Sequence, residues 1–228
     1  VNETEYRKLI GSLRYLTHTR PDITYAVGYV SRFMEKPKTT HMKAVKHLIR
    51  YIKGTLNYGI QYSKGKEAEI IGYSDSSDGD QEDGKGTTGT IFYYKDSPIT
   101  WTSQKQSTVA LSSCESEFMA ATSAACQAIW LQGVLSELTG ERPKKITLQV
   151  DNKSVIQLMK NPVFHGRSKH INTRYHFIRE CIENEQIQVD HISGEMQKAD
   201  ILTKALPRIK FLEMRRLIGV EDLGEIKN

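Results

Sequence analysis

Four carboxylates stand where α/β proteins gather reactive groups. Ile70-Ile71-Gly72-Tyr73-Ser74-Asp75 reads as a buried strand closed by an acid, residues 145–150 read as a strand running into Asp151, and Asp200 opens a short helix expected over 198–206. Open α/β sheets build their sites at the carboxyl ends of strands, so Asp75 and Asp151 meet if their strands are adjacent and parallel. The fourth acid lies on a long helix beginning at Ser113. Ser112 and Glu115 have capping-box spacing, which gives Glu115 a structural task. Glu117 has none. Its neighbours at i+3, i+4, i+7 and i+11 are Ala120, Ala121, Ala124 and Ala128, a small-residue face that lets a helix lie close against a sheet. An acid at the head of such a face must be paired, protonated or bound to a cation. One strand-end Asp is more simply a turn or cap residue; four in these elements point to a site.

Clustered carboxylates repel and raise each other's pKa. Hard divalent cations remove that penalty, and Mg²⁺ takes oxygen ligands while keeping several waters and a substrate phosphate. Two such ions roughly 4 Å apart stabilise both the attacking and the leaving oxygen of a phosphodiester displacement. The expected cofactor is therefore a pair of Mg²⁺ ions, with Mn²⁺ as a substitute, held by Asp75, Glu117, Asp151 and Asp200. No small-molecule cofactor is expected.

The elements that must position these acids follow from periodicity. Tyr6, Leu9, Ile10, Leu13 and Leu16 mark one helix face; a second helix is expected over 23–34, and a third over 41–52 with Val45, Leu48, Ile49 and Ile52 as its stripe. Lys43, Lys46, His47, Arg50 and Lys53 give the third helix a basic face, suited to a phosphate backbone or simply to solvent. From Glu69 the period shortens to two. Three strands in a meander, the long helix, a fourth strand, two helices, a fifth strand and a closing helix give a mixed five-stranded α/β sheet with helices on both faces, preceded by a small helical segment. Trp101 and Trp130 are expected in the core or packed on the sheet.

The chain has 228 residues, 38% of them apolar, which supports a sizeable core. Three widely spaced cysteines argue against a disulfide framework and fit a reducing, intracellular setting. No apolar run is expected to reach the roughly 18 residues of a membrane span, and no N-terminal signal pattern is read. The net charge of +5 hides two unlike parts. Residues 1–66 carry 13 Lys and Arg against 4 Asp and Glu; the rest carry 19 against 23. A basic arm joined to an acidic domain suggests a nucleic-acid partner.

Ordered motifs add a resemblance. Tyr6-Arg7-Lys8-Leu9-Ile10-Gly11-Ser12-Leu13, Thr19-Arg20-Pro21-Asp22-Ile23 and His47-Leu48-Ile49-Arg50-Tyr51-Ile52-Lys53-Gly54 are followed by Gly72-Tyr73-Ser74-Asp75, Glu115-Ser116-Glu117-Phe118-Met119-Ala120, Val150-Asp151-Asn152, Lys169-His170-Ile171 and Ala199-Asp200-Ile201-Leu202-Thr203-Lys204. Over nearly its whole length the chain resembles the C-terminal part of copia-type retrotransposon Pol polyproteins, a reverse transcriptase tail plus a ribonuclease H domain. The resemblance implies three segments: 1–66, the helical tail of the reverse transcriptase; 67–206, a ribonuclease H-like domain; and 207–228, a C-terminal helix and tail. It implies Mg²⁺-dependent hydrolysis of the RNA strand of RNA–DNA hybrids, with Asp75, Glu117, Asp151 and Asp200 as metal-binding acids and an upstream polymerase palm as partner. His191 is a candidate for proton transfer, or for a structural hydrogen bond at a strand end. Lys46, Arg50 and Lys53, with Arg167, Lys169 and Arg174 around a basic loop, are the candidate phosphate contacts. The chain departs from the family after Asp75, where Ser76-Ser77-Asp78-Gly79-Asp80 lacks the usual Trp. That departure keeps an alternative open: a catalytically impaired, nucleic-acid-binding remnant. No Tyr-X-Asp-Asp motif is present, so this chain does not itself copy a template.

Overall fold

The computed structural model describes residues 1–62, 69–79, 83–141, 144–160 and 169–224. The three N-terminal stripes become α1 (Glu3–Leu16), α2 (Thr24–Ser31) and α3 (Thr39–Lys53), followed by a short strand, β1 (Tyr58–Ile60). Asn2 caps α1 by accepting the Glu5 N–H at 3.1 Å. Tyr6, Ile10 and Leu13 pack with Val27, Val30 and Val45 in a core of their own. The second helix is shorter than the expected 23–34: it starts one residue later, after a separate 3₁₀ turn at Pro21–Ile23 where Asp22 is engaged by Arg20, and it ends three residues earlier, at Ser31. Ile49, expected in the stripe of α3, is 39% exposed.

The period-two segments form β2 (Ile70–Ser76), β3 (Thr87–Tyr94) and β4 (Ser97–Lys105), an antiparallel meander. Lys95 and Asp96, both at positive φ, make the tight turn between the last two. Next come α4 (Ser113–Thr139), β5 (Ile146–Val150), α5 (Lys153–Lys160), α6 (Lys169–Glu183), β6 (Ile187–His191), α7 (Arg208–Leu217) and β7 (Val220–Asp222). Strand order is β4-β3-β2-β5-β6, with β2, β5 and β6 mutually parallel, so the expected mixed five-stranded sheet is present. Phe118, Ala121, Ala124 and Ala128 of α4 lie with Phe92, Leu148 and Val150 on one face, where α5 and α6 also pack. Tyr73, Ile91 and Tyr93 on the other face pack against Leu202, Met214 and Ile218.

Four expectations need correction. The helix expected over 198–206 is a single 3₁₀ turn, Asp200–Leu202. A second sheet, β1 paired antiparallel with β7, was not foreseen; three residues per strand are too few to show alternation. By length and composition α4 could span a membrane, but its alanine face is buried on the sheet. Trp130 is 60% exposed rather than core. Trp101, by contrast, donates its indole N–H to the Thr17 carbonyl at 2.8 Å and ties the sheet to the end of α1.

The helical segment is fastened to the sheet domain. Arg20 donates to both Asp22 oxygens at 2.9 and 2.8 Å and to Thr55. The Tyr51 hydroxyl donates to Asp22 at 2.7 Å, and Arg215 of α7 donates to that hydroxyl at 3.1 Å.

Candidate active site

Parallel pairing of β2 with β5 sets Tyr73 opposite Gln149. Two residues further along each strand, Asp75 and Asp151 stand side by side at the carboxyl ends. Asp75 is 5% exposed. Gly89 is its partner on β3, and a Cβ there would sit 2.7 Å from Thr203 Cγ2 and 2.9 Å from the Ala199 carbonyl. The absent side chain lets the Asp200–Leu202 turn rest directly beside Asp75. Thr203 then donates to Asp75 Oδ2 at 2.7 Å. Buried Gln197 staples the same loop to β2 by donating to the Ser74 carbonyl at 3.1 Å.

Glu117 enters from α4. Ser112 Oγ accepts the Glu115 N–H at 3.1 Å, and the Glu115 carboxylate takes the Leu111 N–H at 2.8 Å, so Glu115 caps as expected, one residue upstream of the usual box. Glu117 is left for the site. Its Oε1 accepts from Asn152 Nδ2 at 3.2 Å, while its Oε2 is buried without a hydrogen-bond partner among the described residues. Asn152 serves twice, since its Oδ1 also accepts the Ser154 and Val155 N–H groups that open α5.

The acids feel one another. Burial pushes the Asp75 carboxyl up to about 7, opposed by the Thr203 hydrogen bond and by Lys204, and reinforced by Asp151 and Asp200. Burial also raises Glu117, against the Asn152 hydrogen bond, with Asp151 and Asp78 adding to the rise. Asp151 is raised by burial too; its backbone hydrogen bond, Lys204 and His191 act against that, and Asp200 adds to it. Asp200 is ion-paired with Lys204, four residues on and just past the 3₁₀ turn.

The structure therefore sets Asp75, Asp151 and Asp200 within electrostatic reach of one another and Glu117 within reach of Asp151. His191 closes β6, exposed, with its charge acting on Asp151. Lys46, Arg50 and Lys53 form an open face on α3, away from this cluster in sequence and element. Arg174 of α6 lines a polar groove with Thr88, Thr90, Thr102, Gln104 and Ser123. Arg167 and the side chain of Lys169 lie outside the described residues. Thr203, Asn152 and Lys204 were not foreseen as site residues; the first and last stand in the motif that carries Asp200, and their polarity beside an apolar Ile201-Leu202 pair was the available signal.

Asp75, Glu117 and Asp200 each hold a protein partner, and among the described residues no three His, Cys, Asp or Glu side chains close around a common point. The donor set is nonetheless all oxygen, and the orphaned Glu117 Oε2 needs a cation or a proton. These residues fit Mg²⁺ or Mn²⁺ and do not fit a soft-ligand metal.

No protein-family model matches the chain. The retrovirus-related Pol polyprotein from transposon RE1 of Arabidopsis thaliana is 41% identical over 218 residues, covering 95% of this chain and 15% of that protein. The corresponding polyprotein from transposon TNT 1-94 of Nicotiana tabacum is 42% identical over 217 residues, covering 94% and 16%. Among solved structures, a foamy viral protease–reverse transcriptase in complex with RNA/DNA hybrid is alike in fold, at 14% identity and a TM-score of 0.56 over 91% of this chain and 25% of that one. The chain spans about 15% of the length of these two Pol polyproteins. With its β4-β3-β2-β5-β6 sheet it has a ribonuclease H-like fold, and by sequence it belongs to the Pol polyproteins of copia-type transposons.

Proposed function

We propose that this chain hydrolyses the RNA strand of RNA–DNA hybrids as the ribonuclease H part of a copia-type Pol protein. The observation that carries the reading is the run of mutually acting acids, Glu117 with Asp151 and Asp151 with Asp75 and Asp200, with Glu117 Oε2 buried and unpartnered among the described residues. Those four acids would hold one or two Mg²⁺ ions, or Mn²⁺, which when bound activate water and neutralise the departing 3′ oxygen. The protein's own contributions are positional. Thr203 fixes the Asp75 carboxylate and Asn152 fixes Glu117, so neither has to be ordered when substrate arrives. His191, exposed beside Asp151, is placed to move a proton between solvent and the reacting phosphate. The groove at Arg174 offers hydroxyl, amide and guanidinium groups suited to backbone and 2′-hydroxyl contacts, and the face of Lys46, Arg50 and Lys53 offers charge to phosphates. Arg167 and Lys169 complete the basic loop in this reading. Residues 1–66 are then the tail of a reverse transcriptase whose palm lies upstream, 67–206 the nuclease domain and 207–228 its C-terminal helix and tail.

Purified chain incubated with a labelled hybrid and Mg²⁺ tests the activity; absence of cleavage in both Mg²⁺ and Mn²⁺ overturns it. Asp151→Asn is expected to abolish cleavage while leaving circular dichroism unchanged. The protein partners already held by Asp75, Glu117 and Asp200 favour a second reading, a nucleic-acid-binding chain without turnover. Binding that weakens steeply with salt, unaccompanied by cleavage, decides for it.

A further inference from the structure

Lys204 ends the Ala199-Asp200-Ile201-Leu202-Thr203-Lys204 run. Its ammonium pairs with Asp200, and the residue before it grips Asp75. Its charge also acts on Asp75, Asp151 and Glu117, so one side chain serves all four acids. Lysine suits such a post only if the post is temporary. An ammonium is a point charge on a flexible stem, without the bidentate fork that makes arginine a fixed partner of carboxylates. This side chain is 48% exposed, so it can swing out without opening the core. A divalent cation brings twice the charge to the same carboxylates, and cation and ammonium repel each other when both sit on Asp200.

We propose that Lys204 is an internal competitor of the divalent cation: it neutralises the carboxylates, must leave Asp200 for the cation to bind there, and so sets the cation concentration the site requires. Once displaced, its ammonium remains tethered at the rim, free to meet a phosphate oxygen. The inference rests on reading the four acids as cation ligands, and does not depend on which phosphodiester is cleaved.

The test is titration of the full chain with Mn²⁺ by calorimetry, in the absence of nucleic acid, for wild type, Lys204→Met, Lys204→Gln and Lys204→Arg. Both neutral variants are expected to bind Mn²⁺ roughly fivefold more tightly, the scale of a half-exposed ion pair removed from competition. They are also expected to melt at a lower temperature in chelator and to gain more from added Mn²⁺. Lys204→Arg keeps the charge and holds carboxylates more firmly, so it is expected to bind Mn²⁺ no more tightly than wild type. Equal or weaker Mn²⁺ binding by the neutral variants overturns the competitor role and leaves the cation site standing. No Mn²⁺ binding by wild type or by either neutral variant overturns both.

Discussion

Asp75→Asn isolates the free energy stored in the site. The Asp75 carboxyl is pushed up to about 7 from its ordinary 3.8, chiefly by burial. Below about pH 4 the folded and unfolded chains both hold this proton. Between 4 and 7 only the folded chain does, so stability falls as pH rises through that window. By pH 8 the whole difference is present, roughly 4 kcal/mol. Asparagine never ionises, and its carbonyl can still accept the Thr203 hydroxyl. The variant should therefore lack this share of the decline. Urea unfolding in EDTA at pH 5 and pH 8 measures most of it: more than about 1 kcal/mol is already lost by pH 5, so relative to wild type Asp75→Asn is expected to gain about 2.5 kcal/mol between the two pH values. Glu117 and Asp151 remain in both proteins, so most of their own pH dependence cancels in the comparison. Mg²⁺ should restore wild type at pH 8 by binding the ionised carboxylate, and do little for the variant. Pairs of pH profiles that run parallel within about 0.5 kcal/mol would refute the account of a buried, cation-seeking carboxylate.

Two further substitutions test the scaffold. Asp22→Ala leaves the Arg20 guanidinium buried and strips the Tyr51 hydroxyl of its acceptor, so a loss of about 3–5 kcal/mol is expected by urea denaturation; a loss under about 1 kcal/mol would mean that water replaces the carboxylate. Ala124→Leu forces a larger side chain between α4 and the sheet at a fully buried position, and should cost about 1–3 kcal/mol in the same assay while leaving secondary structure intact.

The parts of the site that were legible in the sequence are those that follow from short-range pattern. A strand ending in an acid can be read from period and composition, and the choice of Glu117 over Glu115 followed from capping and from four alanines on one helix face. The holding contacts were not legible. Thr203 reaches Asp75 across 128 positions and Gln197 reaches Ser74 across 123, and no local pattern encodes either. The closing segment instead makes contacts that a regular helix does not: the Ala199 N–H goes to the Gln197 side chain in the same loop, and the Thr203 hydroxyl goes to Asp75 on the sheet. Ile49 and Trp130 failed for a different reason. Apolar residues remain common on folded surfaces, so apolar character alone does not place a residue inside. The membrane-length apolar helix α4 makes the converse point, since length and composition do not distinguish a lipid-facing helix from one packed on a sheet.

Splitting the modest net charge into a basic segment and an acidic one made the first 66 residues look like a separable arm. The structure joins them to the acids by a continuous set of bonds. Arg32, just past α2, donates to Thr87 Oγ1 at 3.1 Å, and the Thr87 N–H goes to Ser77 Oγ at 2.9 Å, two residues beyond Asp75. On the far side Arg215 reaches Tyr51 of α3, and β1 pairs with β7. The helix that carries Lys46, Arg50 and Lys53 is thereby held in a set orientation to the strand that carries Asp75. If those lysines and that arginine take up phosphates, the strand they hold is presented to the carboxylates in one register, with no linker freedom to be lost on binding. The basic excess then contributes orientation as well as attraction, and salt should weaken the two together.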